Sequence, residues 1–356
     1  MEHVTFFVDP AWQRQGLQHI PLLYTMWGNP LTASVPFWRE LFERRCFDTK
    51  YYSVTTEAAK ADMVLMPYSH NVALAQWPEL LDACAQASKQ LSKPLLIDGL
   101  GDIEHPVKIP NTVVLRYGGY RFMPEKNAIH IPPYADDLLE LYSKGELAVR
   151  NKGPRPLIGF VGWASLPFGQ KLRTIVKELP PRLKALGDDR YAAVRKGVFF
   201  RAAATAVLKK SPRVATNFIL RSTFSANLAT MSGKPEDLRR EFVENLLSSD
   251  YGLCVRGDAN ASVRLFETLA LGRIPVIVDT ECILPFADEV DYRQFSLIVD
   301  FRDMARLPDL VADFHNSLTN EQFMNMQRKA RAAYVNYFRV DALMPHILKE
   351  LDKILH

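Results

Sequence analysis

The chain has no apolar run approaching the ~20 residues that a membrane-spanning helix needs, and its first residues read as a strand, HVTFFVD, and not as a signal peptide. Cysteine is scarce. Cys46, Cys84, Cys254 and Cys282 stand at no spacing that pairs them or builds a metal site, and two lie in or beside apolar strands, as buried thiols do. A reducing compartment is expected. Charge of one sign is also missing: 44 Lys and Arg against 40 Asp and Glu leave a net charge of +4 and a pI near 8.7, too mild to imply nucleic acid. A dinucleotide fingerprint is incomplete, because LIDGLGD at Leu96–Asp102 lacks its third glycine. This disfavours a Rossmann-type oxidoreductase.

What is present is a globular composition, 48% hydrophobic and 24% charged, over 356 residues, which is enough for two cores. Strand-like and helix-like segments alternate through the first half (VTFFV, FWRELFERR, YYSV, ADMVLMP, WPELLDACAQASKQL, PLLID, TVVLR) and again from PLIGFVG onward. Such alternation predicts α/β domains built on mainly parallel sheets. The Pro, Gly and charge-rich stretch Asn151–Pro156 reads as a joint. Two Rossmann-like domains are therefore expected, 1–150 and 151–325, with a helical tail, 326–356, that crosses back onto the first.

Tyr251–Asp300 carries the most chemistry. Tyr251–Val255 is an apolar strand, RGDANAS a polar loop, Val263–Leu271 a helix, Gly272 its left-handed cap and IPVIV a buried parallel strand. In such a unit the loop and the helix N-terminus suit a diphosphate. Arg256 and Arg264 add full charges, and Glu267, one turn in, is placed to accept ribose hydroxyls or simply to complement the helix dipole. Arg256 and Asp258 read equally as a surface ion pair.

CVRGDANASVRLFETLALGRIPVIV, followed by LPF at Leu284–Phe286 and by DYRQFSLIV, resembles the C-terminal signature of exostosin-type glycosyltransferases. Weaker similarity covers ADMVLMPYSH at Ala61–His70, IHIPPYADD at Ile129–Asp137 and RPLIGFVGWAS at Arg155–Ser165. The resemblance implies the GT-B fold, with two Rossmann-like domains facing an interdomain cleft. It also implies an inverting transfer from a nucleotide-sugar, of the UDP type, to a glycan, glycolipid or glycoconjugate acceptor in polysaccharide biosynthesis. The nucleotide-sugar is then a substrate, and no cofactor is expected. Donor contacts are expected from Arg256, Ser262, Arg264 and Glu267, with Gly162 in the facing loop and Arg221 after an apolar strand in FILRSTFSANL.

No convincing Asp-x-Asp motif ends an apolar strand, Asp300 and Asp303 in DFRD being spaced by accident, so no metal is expected at the leaving diphosphate. Inversion needs a general base. Asp9, His70 and Asp98 each follow a first-domain strand and are the candidates, although Asp and His at strand ends also cap turns and helices. Trp12, Trp27 and Trp163 can stack on sugars or fill the core. The basic stretch Arg182–Arg213, in which RYAAVRKGVFFRAAATAVLKK at Arg190–Lys210 reads as an amphipathic helix, is expected to be a solvated face or a surface for an anionic acceptor.

The alternative function is a non-catalytic nucleotide-sugar or glycan-binding partner of an active enzyme. Many members of the resembled family carry an N-terminal Golgi anchor. This chain is therefore expected to be a bacterial-type cytoplasmic enzyme or the lumenal part of a Golgi one.

Overall fold

The computed structural model describes residues 1–31, 36–101, 105–221 and 234–355. The ends of two motifs, LIDGLGD beyond Gly101 and FILRSTFSANL beyond Arg221, lie outside these residues, as does His356. The architecture is α/β, with two parallel sheets. The first has six strands in the order β2-β1-β3-β4-β5-β6 and the second five, β11-β10-β9-β7-β8. In chain order these are β1 (Val4–Phe7), β2 (Tyr52–Thr55), β3 (Met63–Leu65), β4 (Leu95–Asp98), β5 (Thr112–Arg116), β6 (Ala128–His130), β7 (Leu157–Trp163), β8 (Ala215–Arg221), β9 (Tyr251–Val255), β10 (Ile274–Asp279) and β11 (Leu297–Asp300). The central strands β3, β4, β5 and β9 are buried along their whole length, which explains why they read as continuous apolar runs. Every named pairing is parallel, from Val4↔Tyr52 in the first sheet to Asp279↔Asp300 in the second.

In the second sheet the order reverses beside β7, whose neighbours are β8 and β9. Ligands of open parallel sheets bind beyond the carboxyl ends of the strands at such a reversal. The expected strand–helix–strand unit is present there as β9, the helix Val263–Ala270 and β10, with Gly272 at φ +60 after the helix.

The tail does not stop on the second domain. The helix Asn320–Ala333 runs through a π-turn at Tyr334–Phe338 to a last helix, Leu343–Leu355. Its Leu343, Met344, Ile347, Leu348 and Leu351 are buried in one apolar cluster with Val4, Phe6, Met63 and Leu96 of the first sheet. Asp137, 2% exposed, fastens this crossing by accepting from Arg331 at 2.7 and 3.0 Å and from Arg339 at 3.4 Å.

The two sheets meet through loops. Asn260 donates to the Gly119 and Thr280 carbonyls at 2.9 and 3.0 Å, and Arg121 pairs with Asp279 at 2.7 Å and Glu281 at 3.1 Å. Gly118 lies so close that a Cβ would stand 2.4 Å from the Asn260 carbonyl oxygen. Backbone must therefore move if a side chain is added. Gly118→Ala is expected to lower stability by about 1–3 kcal/mol, as overpacking does. It should also speed proteolysis between the domains, and urea unfolding together with limited trypsin digestion reads both effects.

The expected single helix over Arg190–Lys210 is two elements, a 3-10 turn at Asp189–Val194 and a helix at Gly197–Lys210. Four of its six cations are occupied: Arg190 pairs with Asp188, Arg195 lies over Phe199 and Phe200, Lys196 lies over Trp163, and Arg201 donates to the Arg256 carbonyl.

Candidate functional site

Between the two sheets lies a cavity of about 590 Å³. Its first-domain wall is Phe37, Trp38, Gly101, Tyr117 and Pro133, from the helix Pro36–Arg44 and the segments after β4, β5 and β6. Its second-domain wall comes from the carboxyl end of β7, the loop after β9 and the start of the helix Val263–Ala270, joined by Arg201, Arg221, Arg239 and Phe242. One wall is thus aromatic. The other holds four arginines, Arg201, Arg221, Arg239 and Arg264, against two carboxylates, Asp258 and Glu267.

Arg264 anchors the second wall. Its guanidinium stacks 4.4 Å from the Phe160 ring centre and donates to the Val161 carbonyl at 2.6 Å. Burial lowers its pKa without discharging a guanidinium. Gly162 makes room for it, with a φ of +151 that favours glycine and a position where a Cβ would stand 2.8 Å from the Arg264 Nη2. Ser262 is the residue before the helix, and its side chain makes no capping bond. Two buried donors in this wall, Arg264 Nε and the indole Nε1 of Trp163, have no hydrogen-bond partner among the described residues. Orphaned buried donors are uncommon and mark places where a ligand or water completes the bonding.

Glu267 is 6% exposed and is ion-paired with Arg239, which also stacks over Phe37 and Phe242. Burial opposes the charge on Arg239, and the attraction and hydrogen bond of Glu267 overcome it, so the Arg239 pKa is raised. Arg221 pairs with Glu241. Arg201, Arg239 and Trp38 are cavity residues that sequence pattern did not single out, because each is brought in by a helix distant in the chain.

Arg256 has a different place from the one expected. It does not line the cavity, because its guanidinium donates to the carbonyls of Ala193 at 3.0 Å and Asp258 at 2.5 Å and to the Tyr120 hydroxyl. It shapes the loop behind the site. Its expected surface pairing with Asp258 is also absent, Asp258 instead lying 3.6 Å from Lys196. Of the three tryptophans, Trp163 lines the cavity with Lys196 over its ring, whereas Trp12 is buried against Phe7 and Trp27 packs on His19.

None of the three expected bases lines the cavity. The Asp9 carboxylate caps the turn Pro10–Trp12 by accepting from the Ala11 N–H at 2.9 Å. His70 begins the helix His70–Gln76, is 4% exposed and keeps an unpartnered Nδ1 among the described residues, and burial followed by Arg116 lowers its pKa. Asp98 ends β4, three residues before cavity-lining Gly101, and accepts from the Leu100 N–H at 2.9 Å. Burial pushes its pKa up to about 7, against the opposing pull of that N–H and of Arg116.

With this geometry in place, comparison with known proteins bears on the cavity's second wall. Residues 187–314 match the Exostosin GT47 domain. This chain carries an exostosin GT47 domain. The match includes β8 to β11 and the helix Val263–Ala270, hence Arg201, Arg221, Arg239, Arg264 and Glu267 of the cavity.

The exostosin domain is similar to part of the Exostosin-1 homolog of Caenorhabditis elegans, at 30% identity over 116 residues, covering 32% of this chain and 29% of that protein. A probable arabinosyltransferase of Arabidopsis thaliana is 25% identical over 116 residues, covering 32% of this chain and 26% of that one. A probable glucuronosyltransferase of Oryza sativa subsp. japonica is 36% identical over 70 residues, covering 20% and 16%. The matched stretch therefore spans under a third of each of these relatives.

Among solved structures, the Anabaena protein HepE in complex with UDP-glucose aligns over 99% of this chain and 100% of that chain, with a TM-score of 0.41 and 11% identity. A glycosyltransferase from Rickettsia africae aligns over 83% and 78%, with a TM-score of 0.37 and 13% identity. No helix among the described residues is long and apolar enough to cross a membrane, and no group of three or more His, Cys, Asp or Glu among them forms a metal cluster.

Proposed function

We propose that the protein is a glycosyltransferase that binds a nucleotide-sugar, of the UDP type, in the cavity between its two sheets and transfers the sugar with inversion to a glycan or glycoconjugate acceptor. The observation that carries this reading is the wall of four arginines and two unpartnered buried donors beside the N-terminus of the helix Val263–Ala270, in an exostosin domain. Departure of a nucleoside diphosphate builds negative charge on the leaving oxygen. Arg264, Arg201 and the helix N-terminus oppose that charge with fixed groups, so no metal is required. Glu267, held by Arg239, presents a carboxylate for the ribose hydroxyls. Tyr117 and Trp38, on the facing wall, offer rings for a sugar.

Asp98 is the carboxyl we assign as general base, because its pKa of about 7 is where a base exchanges protons at neutral pH. It is also the candidate nearest in sequence to a cavity-lining residue, three positions before Gly101.

UDP is expected to raise the melting temperature more than AMP or NAD does, since a ligand that binds only the folded state stabilises it. Turnover of the matching nucleotide-sugar should persist in EDTA. Differential scanning fluorimetry with a panel of nucleoside diphosphates, followed by a donor-hydrolysis screen with and without EDTA, tests both. The absence of any nucleoside diphosphate shift at saturating concentration would refute the reading, and activity lost in EDTA and restored by manganese would refute its metal-independence.

A further inference from the structure

The segment Phe168–Leu186 forms two helices, Phe168–Lys177 and Leu179–Lys184, in which no residue is buried. Backbone bonding continues across their junction, because the Glu178 N–H donates to Thr174 and the Glu178 carbonyl accepts from Arg182. Phe168, Leu172, Val176, Leu179, Leu183 and Leu186 recur at steps of three and four residues, the helical period, and so fall on one stripe. That stripe faces outward. These six are the most exposed large apolar side chains among the described residues, from 51% for Leu179 to 85% for Leu186, whereas no other exceeds 44%. Scattered exposed leucines are ordinary, but an aligned row of six is an interaction surface.

The charge around the row is of one sign. Lys171, Arg173, Lys177 and Lys184 are exposed and Arg182 is half-buried, while the one acid between Phe168 and Gly187, Glu178, is buried and holds Arg182 and the Lys196 N–H. Lys171, Arg173 and Lys177 have no acidic partner among the described residues. A second copy meeting this face across a two-fold axis would set cations against cations at every flank. A helix with an apolar stripe and a basic border lies instead in the headgroup region of an anionic bilayer, its apolar side chains in the acyl boundary and its cations on lipid phosphates.

We propose that the Phe168–Leu186 face docks the protein on an anionic lipid membrane surface. The segment begins five residues after Trp163, and Lys171 shares with Ala164, Ser165, Leu166, Val198, Phe199 and Ala202 a small recess of about 190 Å³. Val198 also lines the large cavity, so the docking face and the cavity are neighbours.

The test is co-sedimentation of the whole protein, without nucleotide, with vesicles of equimolar phosphatidylglycerol and phosphatidylcholine or of phosphatidylcholine alone. Binding is expected to the anionic vesicles only. A Phe168→Ser, Leu172→Ser, Leu186→Ser variant, changed only at exposed positions and checked for folding by circular dichroism, should bind about a hundredfold more weakly. Lys171→Glu with Lys177→Glu should bind at least roughly tenfold more weakly. No binding of the unaltered protein, or binding that neither variant reduces, overturns the proposal. So does sedimentation velocity showing a dimer that the serine variant dissolves while vesicles are ignored, because the stripe then covers a second copy. Since no substrate is present, the outcome is independent of the transfer reaction.

Discussion

Replacing Glu267 by alanine is expected to weaken nucleotide-sugar binding about tenfold to a hundredfold, the worth of a charge-assisted hydrogen bond to the ribose. It is also expected to cost the fold about 3 kcal/mol, because the substitution leaves Arg239 charged, largely enclosed by Phe37 and Phe242 and without its partner. The two effects separate in a cycle. In an Arg239→Met background the stability cost of Glu267→Ala should shrink, since no stranded charge remains, while the binding loss persists. Urea unfolding and donor titration on the four proteins decide this, and a binding loss that disappears together with the stability loss would mean that Glu267 only positions Arg239.

Asp98→Asn should have opposite effects on stability and turnover. The folded pKa of about 7 stands above the unfolded value near 3.8, so the native state holds a proton that the unfolded chain has released. The contribution is full below the unfolded value and is lost as pH rises from about 4 to about 7. Over that window native stability should fall by about 4 kcal/mol, roughly three pKa units at 1.36 kcal/mol each. Asparagine removes this dependence, so at pH 8 the variant should melt at a higher temperature than the unaltered protein. Loss of a general base should meanwhile lower turnover about a hundredfold or more with little change in donor affinity. Thermal melts at pH 5 and pH 8 and steady-state kinetics give the two readouts. A stabilised variant with full turnover would leave Asp98 a buried structural carboxyl and return the base to another residue.

The parts of the site legible in the sequence are those carried by one contiguous stretch. β9, the helix Val263–Ala270 and β10 are consecutive, each with its own apolar period and turn residues, so Ser262, Arg264 and Glu267 fall at the cavity where pattern placed them. What pattern could not supply is the other end of each interaction. The partner of Glu267 lies 28 residues away on a separate helix, Trp38 arrives from a segment whose composition announces no function, and Arg201 comes from a basic stretch whose pattern does not single out one cation from another. Arg256 misled because charge beside a polar loop looks the same whether it turns to a ligand or to carbonyl oxygens. In this structure the carbonyls of Ala193 and Asp258 take it. Of the three first-domain strand ends that pattern proposed, only the one after β4 reaches the cavity, through Gly101, while the rings of Tyr117, Phe37 and Trp38 come from the segment after β5 and from the helix Pro36–Arg44.

The return of the last helix to the first sheet bears on synthesis. Met1 donates its terminal ammonium to Asp352 at 3.1 Å, and Leu343–Leu351 complete the apolar cluster that Val4 and Phe6 begin. While the ribosome is still translating the exostosin domain, the sheet made earliest lacks one side of its cover and exposes the apolar surface that the tail will occupy. The cover of the first sheet is complete only when Leu343–Leu351 have emerged and folded back. That delay leaves the nascent first domain as the species that chaperones must guard.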